Sequence, residues 1–148
     1  MNDHRNRPQE RPADVIRVLI VDDHDFVRAG LMAVLEGVED LLIVGDCADG
    51  ADVCEIARLV RPDVVLMDVQ MPRTGGIAAT RELLNQQPGV RVVMLSGSMP
   101  AHVLGEAATA GAVGYLLKGD HVNDLIRSIR TVAADGTAWP QHSDAVPV

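Results

Sequence analysis

The sequence predicts an α/β domain, a doubly wound five-stranded parallel sheet with five helices on its two faces. Three observations carry this. Short aliphatic runs rich in β-branched residues alternate five times with longer segments of helical periodicity. The runs are apolar throughout rather than at every second residue, as in strands buried on both faces. Four of them stop at a polar residue: Asp22-Asp23, Asp68, Ser96 and Lys118. In a parallel sheet these ends share one edge, where ligands of open α/β sheets sit.

Each element has its own warrant. Residues 16–21 (Ile-Arg-Val-Leu-Ile-Val) are the first strand. Residues 24–37 read as a helix, with Val27, Leu31, Val34 and Leu35 at helical spacing and Gly37 as its stop signal. Residues 41–45 are the second strand. Residues 49–60 place Val53, Ile56, Ala57 and Val60 on one helical face, closed by Pro62, and residues 63–67 are the third strand. A helix over 75–87 turns Ile77, Thr80 and Leu84 inward and ends before Pro88-Gly89. Residues 90–95 are the fourth strand, and 101–110 an alanine-rich helix ended by Gly111. Residues 113–117 are the fifth strand. The last helix, over 120–134, is the most clearly amphipathic, with Val122, Leu125, Ile126, Ile129, Val132 and Ala133. The expected organisation is a disordered leader over 1–14, one domain over 15–135 and a linker or tail over 136–148.

Composition narrows the function. At 148 residues and 47% apolar, the chain is one globular domain; with 2% aromatics its core must be aliphatic. The net charge of -8 argues against the chain itself wrapping nucleic acid and suits a local cation site. Cys47 and Cys54 lack CxxC spacing and read as inert reduced thiols of a cytoplasmic protein. The polar N-terminus has no signal-peptide core, and no run of about 18 apolar residues predicts a membrane span.

The strand ends form a constellation. In the order 2-1-3-4-5, the first and third strands are neighbours, so Asp22, Asp23 and Asp68 converge. Three carboxylates in one cleft repel unless a cation balances them. Mg²⁺, a hard ion with oxygen ligands, together with Lys118, brings the charge to zero. Ser96 lies one strand from Asp68; Lys118 lies two strands away, about 10 Å at the backbone, much of which a long side chain covers. Such a set suits phosphoryl transfer. Asp68 is a carboxylate nucleophile, metal and Lys118 offset the moving charge, and Ser96 donates a hydrogen bond to a phosphoryl oxygen. Singly, each residue has a plainer reading. Asp22 and Asp23 serve as helix N-terminal charges, Asp68 as a loop cap, Ser96 as a turn residue, Tyr115 as a half-buried strand residue and Lys118 as a solvated one. His24, beside the acidic pair, is assigned no catalytic role.

The motifs Val18-Leu19-Ile20-Val21-Asp22-Asp23-His24, Val27-Arg28-Ala29-Gly30-Leu31, Val65-Leu66-Met67-Asp68-Val69-Gln70-Met71-Pro72, Val93-Met94-Leu95-Ser96 and Ala110-Gly111-Ala112-Val113-Gly114-Tyr115-Leu116-Leu117-Lys118, in this order, resemble the receiver (response regulatory) domain of two-component signalling. The likeness is strongest to the NarL/FixJ (LuxR-type) branch and runs from about Ile16 to Ala134. It implies a flavodoxin-like fold and Asp68 as phospho-acceptor. It further implies Mg²⁺ held by Asp23, Asp68 and the Gln70 carbonyl, with Asp22 on a metal-bound water. Ser96 would be the switch hydroxyl, Tyr115 the aromatic that follows it, and Lys118 a phosphoryl contact. The implied partner is a sensor histidine kinase. The receiver would catalyse only its own phosphorylation and dephosphorylation, and so is no enzyme in the ordinary sense. A homodimer through the last helix region is a further expectation.

Two departures stand out. Gly119 follows Lys118 where many receivers carry a cis-forming proline, a loss common in the LuxR-type branch. Arg73-Thr74-Gly75-Gly76 lacks the acidic residue often found before the second glycine, so a more mobile loop is expected there. Too few residues follow 135 for a helix-turn-helix, so DNA would be reached only through an output domain outside this sequence. Rival readings are a flavin-binding protein, a phosphatase of the haloacid dehalogenase kind and a stand-alone or pseudo-receiver acting as a protein-interaction module. The first wants a phosphate-cradling loop where Asp22-Asp23 stand. The second wants a general acid where Gln70 stands. The intact polar set argues against the third.

Overall fold

A computed structural model describes residues 15–140; the expected leader and the end of the expected tail lie outside them. Five strands, β1 (Ile16–Val21), β2 (Leu41–Cys47), β3 (Val64–Asp68), β4 (Arg91–Ser96) and β5 (Gly114–Leu117), alternate with α1 (Asp25–Glu36), α2 (Val53–Val60), α3 (Gly76–Gln86), α4 (Ala101–Ala110) and α5 (Val122–Ala133). All strand pairs are parallel, in the order β2-β1-β3-β4-β5. This is the expected doubly wound sheet.

Alternation along the strands splits the aliphatic residues between two cores. Leu19, Val21, Val65, Met67, Val92 and Met94 pack with Val53 and Ala57 of α2, Ala79 and Leu83 of α3, and Leu104 and Ala107 of α4. Val18, Ile20, Val64, Leu66, Val93 and Leu95 pack with Leu35 of α1 and with Leu125, Ile129 and Val132 of α5. Every residue of β3 is buried, as a central strand covered on both sides requires.

The structure differs from the expected elements where tertiary pairing overrides local pattern. β2 continues two residues past Gly45, because Asp46 and Cys47 pair with Ile20 and Val21 after a bulge that leaves Val44 over. The helix expected from residue 49 begins as a 3-10 turn, Gly50–Asp52, before α2. Asp68 and Ser96 are the last residues of their strands, paired into the sheet, rather than the first residues beyond them. On α1 the expected inward face is only partly covered. Leu35 is buried and Val27 and Leu31 are half-buried, but Val34 is 47% exposed; Phe26, which is not among the residues expected on that face, is 91% exposed.

After α5 the chain turns back to the sheet. Asp135 takes a left-handed conformation (φ 72°), Ala138 N–H donates to the Val113 carbonyl (2.9 Å), and Tyr115 N–H donates to the Ala138 carbonyl (3.1 Å). Gly114 makes room, since a Cβ there would lie 3.0 Å from Ala138. Trp139 packs, partly buried, against the core on the α4 side of the sheet.

Candidate functional site

The carboxyl edge of the sheet holds an open cleft of about 480 Å³, lined by Asp23, His24, Asp68, Gln70, Met71, Pro72, Ser96, Gly97 and Lys118. The buried strand β3 carries Asp68 into it, leaving the side chain 6% exposed. Asp22 and Asp23 follow the end of β1; the Asp22 side chain is 1% exposed and that of Asp23 25%. Asp22 is fixed by its own backbone, since its N–H donates to the Cys47 carbonyl (3.1 Å) and its Oδ1 accepts from His24 N–H (2.8 Å). Arg28 Nη1 also donates to the Asp22 carbonyl (2.6 Å).

Lys118, at the end of β5, crosses the gap. Its Nζ lies 2.9 Å from Asp22 Oδ2 and 3.2 Å from Asp68 Oδ1. Burial disfavours the ammonium, but its contacts with Asp22 and Asp68 outweigh this and raise its pKa. Asp68 is shifted the opposite way for a carboxylate. Burial, then the neighbouring Asp22 charge, push its pKa up against the pull of Lys118. Lys118 bridges Asp22 and Asp68 but does not reach Asp23, so one ammonium faces three carboxylates and the cluster keeps an excess of negative charge.

Three buried oxygens, Asp22 Oδ2, Asp23 Oδ1 and Asp68 Oδ2, have no hydrogen-bond partner of acceptable geometry. Two of them meet a side-chain nitrogen at ion-pair distance, Lys118 for Asp22 and His24 Nδ1 (3.1 Å) for Asp23. Asp22, Asp23, His24 and Asp68 each offer a ligand atom, and these lie within 4.8 Å of one another. Unsatisfied buried carboxylate oxygens are costly unless a cation joins them. The donor set therefore fits a hard divalent ion such as Mg²⁺.

The expected residues are thus brought to one cleft, with two distinctions. Ser96 borders it, half-buried, its Oγ accepting from Ser98 N–H (3.3 Å). Tyr115 is not in the cleft. Its ring is buried and its hydroxyl donates to the Ser98 carbonyl (2.9 Å), so Ser96 and Tyr115 meet on the same loop after β4. No cis peptide occurs among the described residues, Lys118-Gly119 included. His24, given no role from sequence, sits inside the acidic cluster with its ring 65% exposed. Its adjacency to Asp22-Asp23 was the available signal. The cysteines lie apart from this chemistry; burial pushes the Cys47 thiol up to about 11, protonated and unreactive at neutral pH.

The β3–α3 loop, expected to be loose, is tied down. Arg73 and Thr74 N–H both donate to the Asp49 carboxylate (2.9 Å each), and Gly76 N–H donates to the Val69 carbonyl (2.8 Å). Sequence reasoning missed Asp49 because it lies 24 residues from the loop it holds.

Fold and cleft together define a doubly wound α/β domain with an acidic, cation-ready site at the sheet's carboxyl edge. The response regulator receiver domain family model matches residues 18–130, and the chain belongs to that family, in its NarL/FixJ (LuxR-type) branch. It is 43% identical over 120 residues to the response regulator GacA of Pseudomonas aeruginosa, covering 81% of this chain and 56% of GacA. It is 39% identical over 122 residues to the response regulator UvrY of Escherichia coli, covering 80% of this chain and 54% of UvrY. The chain thus spans just over half the length of these curated relatives. Among solved structures, a LuxR-family two-component response regulator from Aurantimonas sp. SI85-9A1 superposes with a TM-score of 0.80 at 30% identity, covering 84% of this chain and 89% of that one. The signal receiver domain of the putative response regulator NarL from Mycobacterium tuberculosis gives 0.78 at 27% identity, covering 82% and 98%. The family works in signalling rather than as ordinary enzymes. No helix among the described residues is long and apolar enough to cross a membrane.

Proposed function

We propose that this receiver takes a phosphoryl group onto Asp68 from the phosphohistidine of a sensor histidine kinase in the cytoplasm, with Mg²⁺ required. The observation that carries the reading is the Asp68 carboxylate itself. It is buried, its Oδ1 held by Lys118 and its Oδ2 unpartnered beside Asp22 and Asp23. An Asp68 oxygen attacks phosphorus, the phosphorus–nitrogen bond breaks, and the imidazole, already protonated on its other ring nitrogen, leaves as the neutral ring. Lys118, already 3.2 Å from Asp68, is placed to pair with the phosphoryl oxygens as charge moves onto the residue. Asp23, Asp68 and the Gln70 carbonyl would hold Mg²⁺, with Asp22 on a metal-bound water. The ion when bound would neutralise the converging carboxylate and phosphoryl charge. Ser96 donates its hydroxyl to a phosphoryl oxygen. Its loop is the one that Tyr115 grips through Ser98, which connects the cleft to the α4–β5 side of the domain. Hydrolysis of the acyl phosphate in the same cleft would reset the switch.

The output follows the relatives, two of which, from Bacillus subtilis, are named transcriptional regulatory proteins. On this reading transcription is controlled through a helix-turn-helix output domain, not through the residues described here. Self-association through the last helix region belongs to the same proposal. It is supported by an apolar groove between α1 and α5, lined by Phe26, Leu31, Val34, Leu116, Val122 and Leu125.

Incubation with a small-molecule phosphodonor and Mg²⁺, read by intact-mass spectrometry, tests the assignment. The native chain should gain the mass of one phosphoryl group, while Asp68→Asn and a metal-chelated sample should gain none. No gain in the native chain, or equal gain in Asp68→Asn, would overturn it.

A further inference from the structure

The buried acids of the molecule fall into two groups. Among the described residues, Asp22 and Asp68 lie at the acidic cluster, each with an oxygen that lacks a hydrogen bond of acceptable geometry. Asp49, 4% exposed, lies outside the cleft and is fully engaged. Its Oδ1 accepts from Ala51 N–H and Thr74 N–H and its Oδ2 from Arg73 N–H, each at 2.9 Å. The first bond caps the 3-10 turn before α2. The other two reach across to the β3–α3 loop, the segment that leaves Asp68 and carries Gln70 along the cleft.

The two loops are fitted backbone to backbone. A Cβ at Gly50, beside Asp49, would lie 2.4 Å from the Thr74 carbonyl oxygen and 3.2 Å from that of Gly75. Arg73 and Asp52 add an exposed ion pair at 2.9 Å across the same seam. At the loop's far end Gly76 packs on the Asp68 carbonyl, where a Cβ would lie 2.0 Å from the oxygen. The loop is thus clamped at Asp68 and Gly76 on one side and at Asp49 on the other, and Gln70 lies between the clamps. Two acceptor oxygens are needed for this pattern. An asparagine would keep one and turn an N–H₂ group toward the Arg73 N–H. Burial opposes ionisation of Asp49, but the donors on Ala51, Arg73 and Thr74 outweigh it and keep its pKa below the ordinary carboxylate value. The loop's own sequence, Arg73-Thr74-Gly75-Gly76, has no acid, so the anchor comes from another loop.

We propose that Asp49 is a positioning residue for the metal site. By holding the Arg73 and Thr74 amides it fixes the path of the β3–α3 loop, so that the Gln70 carbonyl stays in register with Asp23 and Asp68 for Mg²⁺. This rests on the phosphorylation reading above. Outer partners that orient metal ligands are worth about 10- to 100-fold in metal affinity.

The test uses the whole chain with Asp49→Ala, and Asp49→Asn as a milder variant should the first not fold. Backbone amide exchange, read residue by residue without metal, reports the anchor; a Mg²⁺ titration followed by amide shifts reports affinity. The Arg73 and Thr74 amides should lose protection in Asp49→Ala, while those of β1 and β3 keep theirs. The Mg²⁺ Kd should weaken about tenfold, and saturating Mg²⁺ should restore phosphorylation to the native extent. A merely structural role would lower protection throughout and leave the Mg²⁺ Kd of the folded fraction unchanged, which overturns the proposal. So does a Kd within twofold of native once the two amides are freed. If the native chain takes up Mg²⁺ but no phosphoryl group, the phosphorylation reading fails while the anchor stands. If it takes up no Mg²⁺, both fail.

Discussion

The two ends of the sheet handle charge in opposite ways. At the amino edge each charged group considered is engaged by a hydrogen bond or an ion pair. The Asp63 carboxylate accepts from Arg17 N–H (2.9 Å), Arg130 forks onto both oxygens of Asp40 (2.8 and 2.9 Å), and Arg91 pairs with Asp135. At the carboxyl edge Asp22, Asp23 and Asp68 crowd together with one lysine among them and three oxygens unsatisfied. The amino edge satisfies its charges within the fold; the carboxyl edge leaves acidic oxygens unsatisfied at a cost in stability. Sites strained in this way trade stability for function.

That contrast can be broken or sharpened in four ways. The largest effect is expected at the floor of the cleft. Gly76→Ala drives a Cβ into the Asp68 carbonyl and against Met94, and should destabilise the domain by about 2–3 kcal/mol in urea unfolding. A loss under about 0.5 kcal/mol would mean that the loop yields freely. Next, Mg²⁺ should stabilise the native chain by mass action, by about 1.4 kcal/mol at ten times its Kd, and should do far less for Asp68→Asn. Equal stabilisation of both would place the ion elsewhere.

Third, Asp68→Asn should make the metal-free domain more stable at neutral pH, by about 1 kcal/mol. The sign follows from the raised pKa of Asp68. A carboxylate whose folded pKa lies above its unfolded value costs stability when ionised; that cost is full above the raised pKa, shrinks as pH falls from it, and is gone below the unfolded pKa. The advantage of the variant should therefore shrink on acidification; an advantage that grows instead would contradict the strained-carboxylate reading. The smallest effect belongs to the amino edge. Arg130 holds the Asp40 carboxyl below its usual range, so this contribution is present at neutral pH and lost as pH falls through the lowered value. Asp40→Asn should lower Tm slightly, less than the other changes move it, and the difference should vanish at about 1 M salt, where screening acts within about 3 Å. A large, salt-independent drop would mean that this pair contributes more than a screened surface ion pair does.

Much of this was legible in the chain. Continuous aliphatic runs with helical segments between them led to the parallel sheet, and the common doubly wound arrangement supplied its strand order. The polar residues ending those runs led to the residues that the structure gathers at one edge. Val34 on α1 was misjudged because periodicity shows which side chains are apolar, not whether anything covers them; it stays exposed while Leu35 on the same face is buried. The β2 end was misjudged because Asp46 and Cys47 do not look like strand residues until β1 pairs with them.

By itself, then, the sequence determined which residues form strands and which polar groups stand at their ends, because burial on two faces and a two-residue side-chain repeat are local constraints. Tertiary structure decided how those groups share charge. Lys118 bridges Asp22 and Asp68, His24 joins the acidic cluster, and Asp49 captures a loop from 24 residues away. Such contacts depend on directions and distances between segments far apart in the chain, which no local pattern encodes.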